Sequence, residues 1–228
     1  MHIPDGYLGP ETYGSFWAAT LGLWYVAGRR LKKTIKAADA PLLALGAAAS
    51  FVVMMFNVPI MGGTSGHATG AMLLAAVLGP WAAFICMSIA LAVQALVFGD
   101  GGITSYGANC FNMAFAGVFA GWALYRLLAG KKENIEKKKN KNKRILFASG
   151  CGAYFGINVA AFLTALELGI QPILNKGADG RPLYSPFPLK VTIPALMAGH
   201  LTLFGFAEVA FTVLALAYLL KSHPELIF

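Results

Sequence analysis

Residues 81–98, WAAFICMSIALAVQALVF, run for 18 positions without a charged side chain. A helix rises 1.5 Å per residue, so a segment of this length can cross the ~30 Å hydrocarbon core of a bilayer. The whole chain has the same character, because 57% of its 228 residues are hydrophobic and only 12% are charged. Soluble domains carry about 25% charged residues. The composition therefore predicts an integral membrane protein and excludes a soluble protein with one very large core.

Similar apolar runs recur along the chain and predict seven membrane-spanning helices. Gly79-Pro80 and Gly99–Gly102 are breaks that end two of these runs. The expected fold class is an all-α bundle of seven transmembrane helices, built as a single membrane-embedded domain over residues 1–228. The expected spans are 14–28, 41–57, 67–79, 81–98, 108–129, 145–168 and 191–220.

The basic residues predict the orientation of this bundle. Residues 29–36, residues 126–144 and Lys221 together hold 15 of the 18 Lys and Arg side chains. With seven spans, all three groups lie on one side, which the positive-inside rule makes the cytoplasm. The amino terminus is then outside and the carboxyl terminus inside, with a cytoplasmic basic loop at 131–144 and an extracellular loop at 169–190. The lysines lack interleaved aromatic residues, so a nucleic-acid partner is not expected.

The third span is too short to cross a bilayer alone. The preceding stretch, NVPIMGGTSG (57–66), is rich in Gly and Pro and carries no charge. Irregular backbone at membrane depth is tolerated only inside protein or along a cavity. We therefore expect residues 57–66 to enter the bundle from outside and to place His67 at the start of a helix, below the membrane surface.

The first ten residues, MHIPDGYLGP, contain the donors of a metal chelate. They have no basic n-region and no small-residue cleavage site, so a removable signal peptide is not expected. The amino nitrogen of Met1, the amide nitrogen of His2 and its Nδ1 can close a five-membered and a six-membered ring around one ion. His67 is the expected fourth donor, and Pro4 then turns the chain away. Square-planar nitrogen ligation favours Ni(II) or Cu(II).

Other polar residues in apolar segments leave two alternatives open. His67, His200 and Glu208 could surround a zinc ion in a metal-dependent intramembrane enzyme. Glu208 could instead carry protons in a stand-alone proton-coupled transporter. Glu167 is expected at the membrane interface, and His200 to pack against a neighbouring helix. Gln94, Asn109 and Asn112 are expected to bond between helices or to orient the ligands.

Absent motifs narrow the function further. The chain has no GxxxxGK[ST] phosphate loop and no HExxH sequence. ATP hydrolysis by that route and zinc-peptidase chemistry are therefore not expected. No pair of carboxylates and no Ser/His/Asp spacing supports another enzyme.

Three stretches resemble the CbiM/NikM family, the substrate-binding membrane components of energy-coupling-factor transporters for cobalt and nickel. They are MHIPDGYL (1–8), PIMGGTSGHATG (59–70) and QALVFGDGGITSYGAN (94–109). The resemblance implies that Met1, His2 and His67 bind the metal and that Asn109 of the GAN motif helps to orient them. It also implies that the transported substrate is nickel or cobalt, and the square-planar nitrogen ligation favours Ni(II), with Co(II) as the alternative.

The resemblance further implies a set of partners. A transmembrane coupling subunit and two cytoplasmic ATPase subunits would drive transport, and a small accessory membrane subunit often joins them. ATP hydrolysis would then lie in the partners, and the chain itself would be a multi-pass protein of a prokaryotic cell membrane.

Overall fold

Seven helices and one short hairpin make up the described part of the protein. The structure, a computed structural model, describes residues 1–34, 36, 39–60, 63–130 and 138–227. The hairpin consists of two antiparallel strands, β1 (Val58–Ile60) and β2 (Thr64–Gly66), with Val58 opposite Gly66. A 3₁₀ turn, Pro224–Leu226, follows the last helix. The helices are α1 (Pro10–Leu31), α2 (Ala40–Met54), α3 (Ala71–Leu78), α4 (Pro80–Phe98), α5 (Tyr106–Ala129), α6 (Lys138–Leu174) and α7 (Leu189–Ser222).

The helix lengths and compositions identify a multi-pass membrane protein. Four helices, α4 to α7, are long and apolar enough to cross a bilayer, and α2 is a shorter apolar helix of 15 residues. Each of the seven predicted segments overlaps one helix. The prediction of a helical membrane protein is therefore confirmed, and seven helices fit the predicted number.

The third predicted span differs from the observed one. Helix α3 begins at Ala71 and has only 8 residues, so His67 lies in a loop before it. Placing His67 at the start of a helix was therefore wrong. Gly70 explains the late start, because its φ of 70° lies in the left-handed region and cannot belong to a right-handed helical turn.

The loops around α6 are shorter than predicted. Helix α6 already includes 138–144, while residues 131–137 of the predicted basic loop lie outside the described residues. At its other end α6 runs through Pro172 to Leu174, so the predicted loop 169–190 shortens to 175–188. Proline is tolerated in such helices where neighbouring groups satisfy the freed backbone. Each boundary moves by a few residues without changing the order of the helices.

The short α3 places His67 deep in the molecule. Eight helical residues span about 12 Å, less than half of a ~30 Å apolar layer. Helix α3 leads from His67 to the Gly79-Pro80 turn, which lies beside Arg29 and Arg30 at the end of α1. We call this end of the molecule the basic end. The bundle therefore encloses the loop that carries His67, as predicted for a segment that enters from the opposite end.

Glycines allow α5 and α6 to pack at close range. Gly117 and Gly121 of α5 face Gly156 and Gly152 of α6. A Cβ added at Gly156 would lie 2.5 Å from the carbonyl oxygen of Gly117. Small residues four apart let helix backbones approach closely in membranes. This contact makes α6 the central helix against which α5 and α7 pack.

Candidate metal centre

The first three residues lie buried inside the bundle. Met1 and Ile3 have no exposed surface, and His2 is 3% exposed. The Ile3 amide donates to Asn109 Oδ1 at 2.9 Å, and Ile3 oxygen accepts bonds from Asn109 Nδ2 at 3.1 Å and from the Gly102 amide at 2.9 Å. Asn109 therefore positions the backbone beside His2 and makes no hydrogen bond to either predicted histidine ligand.

Asp5 makes a second set of hydrogen bonds that fixes the amino-terminal segment. Its carboxylate accepts hydrogen bonds from the amides of Ile103 at 3.0 Å and Thr104 at 2.8 Å. Partial burial alone would raise the pKa of Asp5, but these bonds and the Thr104 hydroxyl bond outweigh it and lower the pKa. Asp5 is therefore ionised at neutral pH, and it holds the amino-terminal segment against the loop between α4 and α5.

His2 is paired with an acid that sequence analysis did not single out. Its Nδ1 lies 2.7 Å from Asp100 Oδ1, and the other oxygen of Asp100 accepts a bond from Asn57 Nδ2 at 2.8 Å. Thr64 of β2 donates its hydroxyl to the His2 carbonyl at 2.8 Å. Asp100 belongs to the QALVFGDGGITSYGAN stretch, so its position within a recognisable motif was the signal available. Asp100 and Thr64 thus bond His2 directly, and Asn57 holds Asp100 in place.

His67 is buried beside His2 and presents a free nitrogen. The two ring centroids are 4.7 Å apart, with the planes tilted by 37°. The Nδ1 of His67 bonds the Ala68 carbonyl at 3.0 Å. A carbonyl can only accept, so Nδ1 carries the proton and Nε2 holds the lone pair. The Nε2 atoms of His2 and His67 are buried and have no hydrogen-bond partner among the described residues.

The amino nitrogen of Met1 completes the group. It contacts the carbonyl oxygen of Ser65 in β2. Burial lowers the pKa of this amine to about 4, although the charge of Asp100 opposes the shift. The amine is therefore neutral at pH 7, and its lone pair is available to a metal ion. Among the hydrogen bonds between described residues, none uses the His2 amide nitrogen.

Glu208 supports the His67 loop from α7. Its buried carboxylate accepts bonds from the amides of Thr69 at 2.5 Å and Gly70 at 3.0 Å. The Thr69 hydroxyl in turn accepts the amide of Ala71 at 3.2 Å, at the first turn of α3. The backbone that follows His67 is therefore tied to the last helix, a contact that the sequence pattern did not reveal.

The structure does not assemble the alternative zinc site. Among the described residues, no three His, Cys, Asp or Glu side chains are placed to hold one metal ion. His200 is buried, bonds the Leu196 carbonyl through Nδ1 at 2.8 Å and packs against Phe204 with centroids 5.1 Å apart. Glu208 is occupied by backbone amides. His67, His200 and Glu208 therefore do not form the triad of the alternative hypothesis.

Glu167 is buried within the protein. It is only 6% exposed, and its position at the membrane interface stays a prediction. One turn later on α6, Gln171 donates its Nε2 to the Glu167 carbonyl at 2.9 Å. Gln171 in turn accepts the Gly9 amide at 2.9 Å. The amino-terminal segment therefore contacts this end of α6.

These features define a class of protein: a multi-pass helical membrane protein that encloses an amine and two imidazoles from distant parts of the chain. The chain belongs to the CbiM family, whose model, described as the cobalt uptake substrate-specific transmembrane region, matches residues 2–226. The described centre lies entirely within the matched range apart from Met1.

Several known proteins are similar over nearly the whole chain. A fused nickel transport protein NikMN from Rhodobacter capsulatus is 47% identical over 100% of this chain and 64% of its own length. A probable fused nickel transport protein LarMN from Lactiplantibacillus plantarum is 45% identical over 98% of this chain and 66% of its own length. The chain thus spans just under two thirds of each of these relatives.

A solved structure shares the fold. The crystal structure of a truncated transition metal transporter is 49% identical, covers 98% of this chain and 100% of that one, and superposes with a TM-score of 0.90. At this identity and score, the helical arrangement described above is that of the solved transporter.

Proposed function

We propose that this chain captures Ni(II), with Co(II) as the alternative, as the substrate-binding component of an ATP-driven energy-coupling-factor importer. The observation that carries the proposal is the burial of the Met1 amine together with the rings of His2 and His67, whose centroids lie 4.7 Å apart. Neutral nitrogen donors suit these metals. The names of the similar nickel and cobalt transport proteins support the same substrate class.

The proposed site is a plane of four nitrogens. The Met1 amine, the His2 amide and His2 Nδ1 form the chelate, and His67 Nε2 takes the fourth position. In the structure His2 Nδ1 bonds Asp100 at 2.7 Å, so this atom must exchange Asp100 for the ion by rotation of the ring about Cβ–Cγ. The amide must lose its proton, which Ni(II) can drive in a square-planar site. Asn109 orients this arrangement through Ile3.

Import would need partners that supply energy. We propose a transmembrane coupling subunit and two cytoplasmic ATPase subunits, consistent with the absence of a phosphate loop from the sequence. The fused names of two relatives support an additional small accessory part. The chain would lie in a prokaryotic cell membrane with its amino terminus outside, where the buried segment meets incoming metal. The chain itself would not be an enzyme.

Adding three alanines before Met1 tests the chelate. The extension turns the Met1 amine into an amide and moves the new amine three residues away, whereas a single alanine would create an Ala-Met-His start whose own four nitrogens could hold the ion. We expect nickel affinity to fall by more than the roughly 100-fold that loss of an outer hydrogen-bond partner costs a metal site. Bound nickel is measured by elemental analysis of purified protein whose first residue is verified by intact mass.

The matched control adds three alanines after Phe228, far from the site in sequence. It should bind one nickel ion with unchanged affinity. The spectrum of the nickel form should be that of a diamagnetic square-planar ion. An amino-terminal extension that leaves affinity and spectrum unchanged would refute the role of Met1.

A further inference from the structure

A groove opens at the basic end, on the side of the molecule away from the metal centre. Its volume is about 780 Å³. It lies between the last turns of α1, the beginning of α2 and the turn that joins α3 to α4. Its apolar walls are formed by residues that include Val26, Leu42, Leu43, Val77, Pro80 and Trp81.

Three cations line the same groove. They are Arg29, Arg30 and Lys33, and none of them forms an ion pair with a described residue. The guanidinium carbon of Arg30 lies 5.2 Å from the centroid of the Trp81 ring. Stacking of this kind orients an arginine without neutralising its charge. The groove therefore offers net positive charge next to an apolar surface.

Among the groove-lining residues that the structure describes, one is acidic, and its carboxylate already accepts a backbone hydrogen bond. Asp39 accepts the Lys36 amide at 2.8 Å, in the turn before α2. The three cations outnumber this one acid, so the groove-lining residues carry a net positive charge. An anion is thus the complementary ligand.

The position of the groove selects the kind of anion. The adjoining surfaces of α1 and α2 expose large apolar side chains, with Tyr25 66% and Leu45 65% exposed. In a multi-pass protein such surfaces face acyl chains, and aromatic residues with Arg or Lys concentrate at the headgroup level. Basic pockets between the ends of membrane helices bind anionic lipid headgroups. A soluble phosphate would gain nothing from the apolar walls.

We propose that this groove binds one phospholipid with an anionic phosphodiester headgroup. Arg29, Arg30 and Lys33 would contact the phosphodiester, and the wall formed by Leu42, Leu43 and Val77 would contact an acyl chain. This inference does not depend on metal capture. It assigns the α1–α2 end of the bundle a fixed lipid partner.

Native mass spectrometry of the full chain in detergent tests the proposal. Phosphatidylglycerol is titrated against phosphatidylcholine of the same chains. One cation near a membrane surface is worth about fivefold in binding of an anionic lipid, so three predict a preference of up to about 100-fold. The R29Q/R30Q/K33Q variant should lose most of this preference. Thermal unfolding measured with each lipid provides a second readout, in which only phosphatidylglycerol should raise the transition.

The matched control is K141Q/K143Q/K221Q, which removes three charges from the same end outside the groove. It should keep the preference for phosphatidylglycerol. Equal binding of the two lipids, or an equal loss in both triple variants, would overturn the proposal. Inorganic phosphate that displaces phosphatidylglycerol at matched concentration would also overturn it. So would loss of co-purifying partner subunits in R29Q/R30Q/K33Q without any change in lipid binding, because the groove would then serve a protein.

Discussion

His67 shows how one backbone contact prepares a proposed metal ligand. Its Nδ1 bonds the carbonyl of the next residue, Ala68, at 3.0 Å. The proton is thereby fixed on Nδ1, and Nε2 is left as a donor to a metal. His200 has the same pattern, with Nδ1 on the Leu196 carbonyl and a buried Nε2. The two residues differ in their surroundings, since only His67 stacks against His2.

This difference predicts that alanine variants of the two histidines bind nickel with different affinities. His67→Ala removes a proposed ligand and should lower nickel affinity by more than about 100-fold. His200→Ala removes a histidine that is equally buried, and it should retain nickel affinity within about tenfold. Competition with a chromophoric chelator measures both constants. Equal losses in the two variants would mean that burial of a histidine, and not ligation by His67, supports binding.

The protonation of the donors predicts how affinity depends on pH. Burial lowers the pKa of the Met1 amine to about 4 and, despite the bond to Asp100, lowers that of His2 below 6.5. Both are neutral at pH 7, so neither releases a proton when metal binds. The His2 amide must still release one. We expect about one proton per nickel ion, and affinity that falls about tenfold for each unit that pH is lowered from about 8 to 6.

Calorimetry in buffers of different ionisation enthalpy measures that proton count. Repeating the titration with His223→Ala, which removes an exposed histidine, controls for distant groups. Release of two or more protons would contradict a neutral amine in the metal-free protein. Release of none would contradict binding through the His2 amide.

At the scale of elements, α7 supports a loop that belongs to the first half of the chain. Glu208 accepts the amides of Thr69 and Gly70. Glu208→Ala leaves two buried amides without this acceptor, at about 1–3 kcal/mol each. The variant should unfold at lower temperature and bind nickel more weakly, because the loop of His67 loses its anchor. Thermal unfolding and nickel competition measure the two effects.

The Glu208→Gln variant distinguishes a structural role of Glu208 in holding the His67 loop from a role in proton transfer. Its amide oxygen can accept the same two bonds, so we expect nickel affinity within about threefold of the parent chain. Metal uptake driven by partner ATPases should persist as well. A glutamine variant that binds nickel normally but has lost transport would favour the proton-coupled alternative.

The α5–α6 contact gives a prediction about stability. Gly156→Ala places a methyl group 2.5 Å from the Gly117 carbonyl oxygen and must separate the two helices. Overpacking of this kind costs about 1–3 kcal/mol. Gly22→Ala is the control, because a Cβ at Gly22 meets nothing within 4 Å, and alanine is the better helix former. Thermal unfolding in detergent should fall for Gly156→Ala and hold or rise for Gly22→Ala.

The helices could be predicted from the sequence, and the hairpin could not. Long apolar runs ended by Gly-Pro or by basic residues are sufficient to place helices such as α4. Each hairpin strand has only 3 residues, and residues 58–66 do not alternate between polar and apolar side chains. The local pattern therefore could not show that this segment pairs with itself, or that Thr64 would reach the His2 carbonyl.

The candidate site was only partly predictable for a similar reason. Met1 and His2 are adjacent, so their proposed chelate follows from local geometry. The prediction of His67 as their partner needed the inference that its loop is deep. Asp100 and Glu208 act through contacts 98 and 139 positions away in the chain. Such pairings depend on helix packing, which no local sequence pattern contains.

At the scale of the whole molecule, the amino-terminal segment and most of the basic residues lie at opposite ends of the bundle. The Tyr7 carbonyl accepts the amide of Ser185 at 3.1 Å, so the amino-terminal segment lies beside the loop 175–188. At the basic end, Arg144 Nε donates to the Leu128 carbonyl at 2.8 Å and joins the start of α6 to the end of α5. The candidate metal centre is built from the segment at the first end, and most of the basic residues lie at the second. This arrangement predicts the orientation in the cell.

Cysteine labelling tests that orientation. Arg181 and Ser222 are both exposed and lie in the loop 175–188 and at the last turn of α7. Each is replaced by cysteine in a background where Cys86, Cys110 and Cys151 are alanine. A membrane-impermeant maleimide should label R181C in intact cells, and S222C only after permeabilisation, because basic flanks stay in the cytoplasm. The opposite pattern would place the amine of Met1 on the cytoplasmic side, where it could not capture metal from outside.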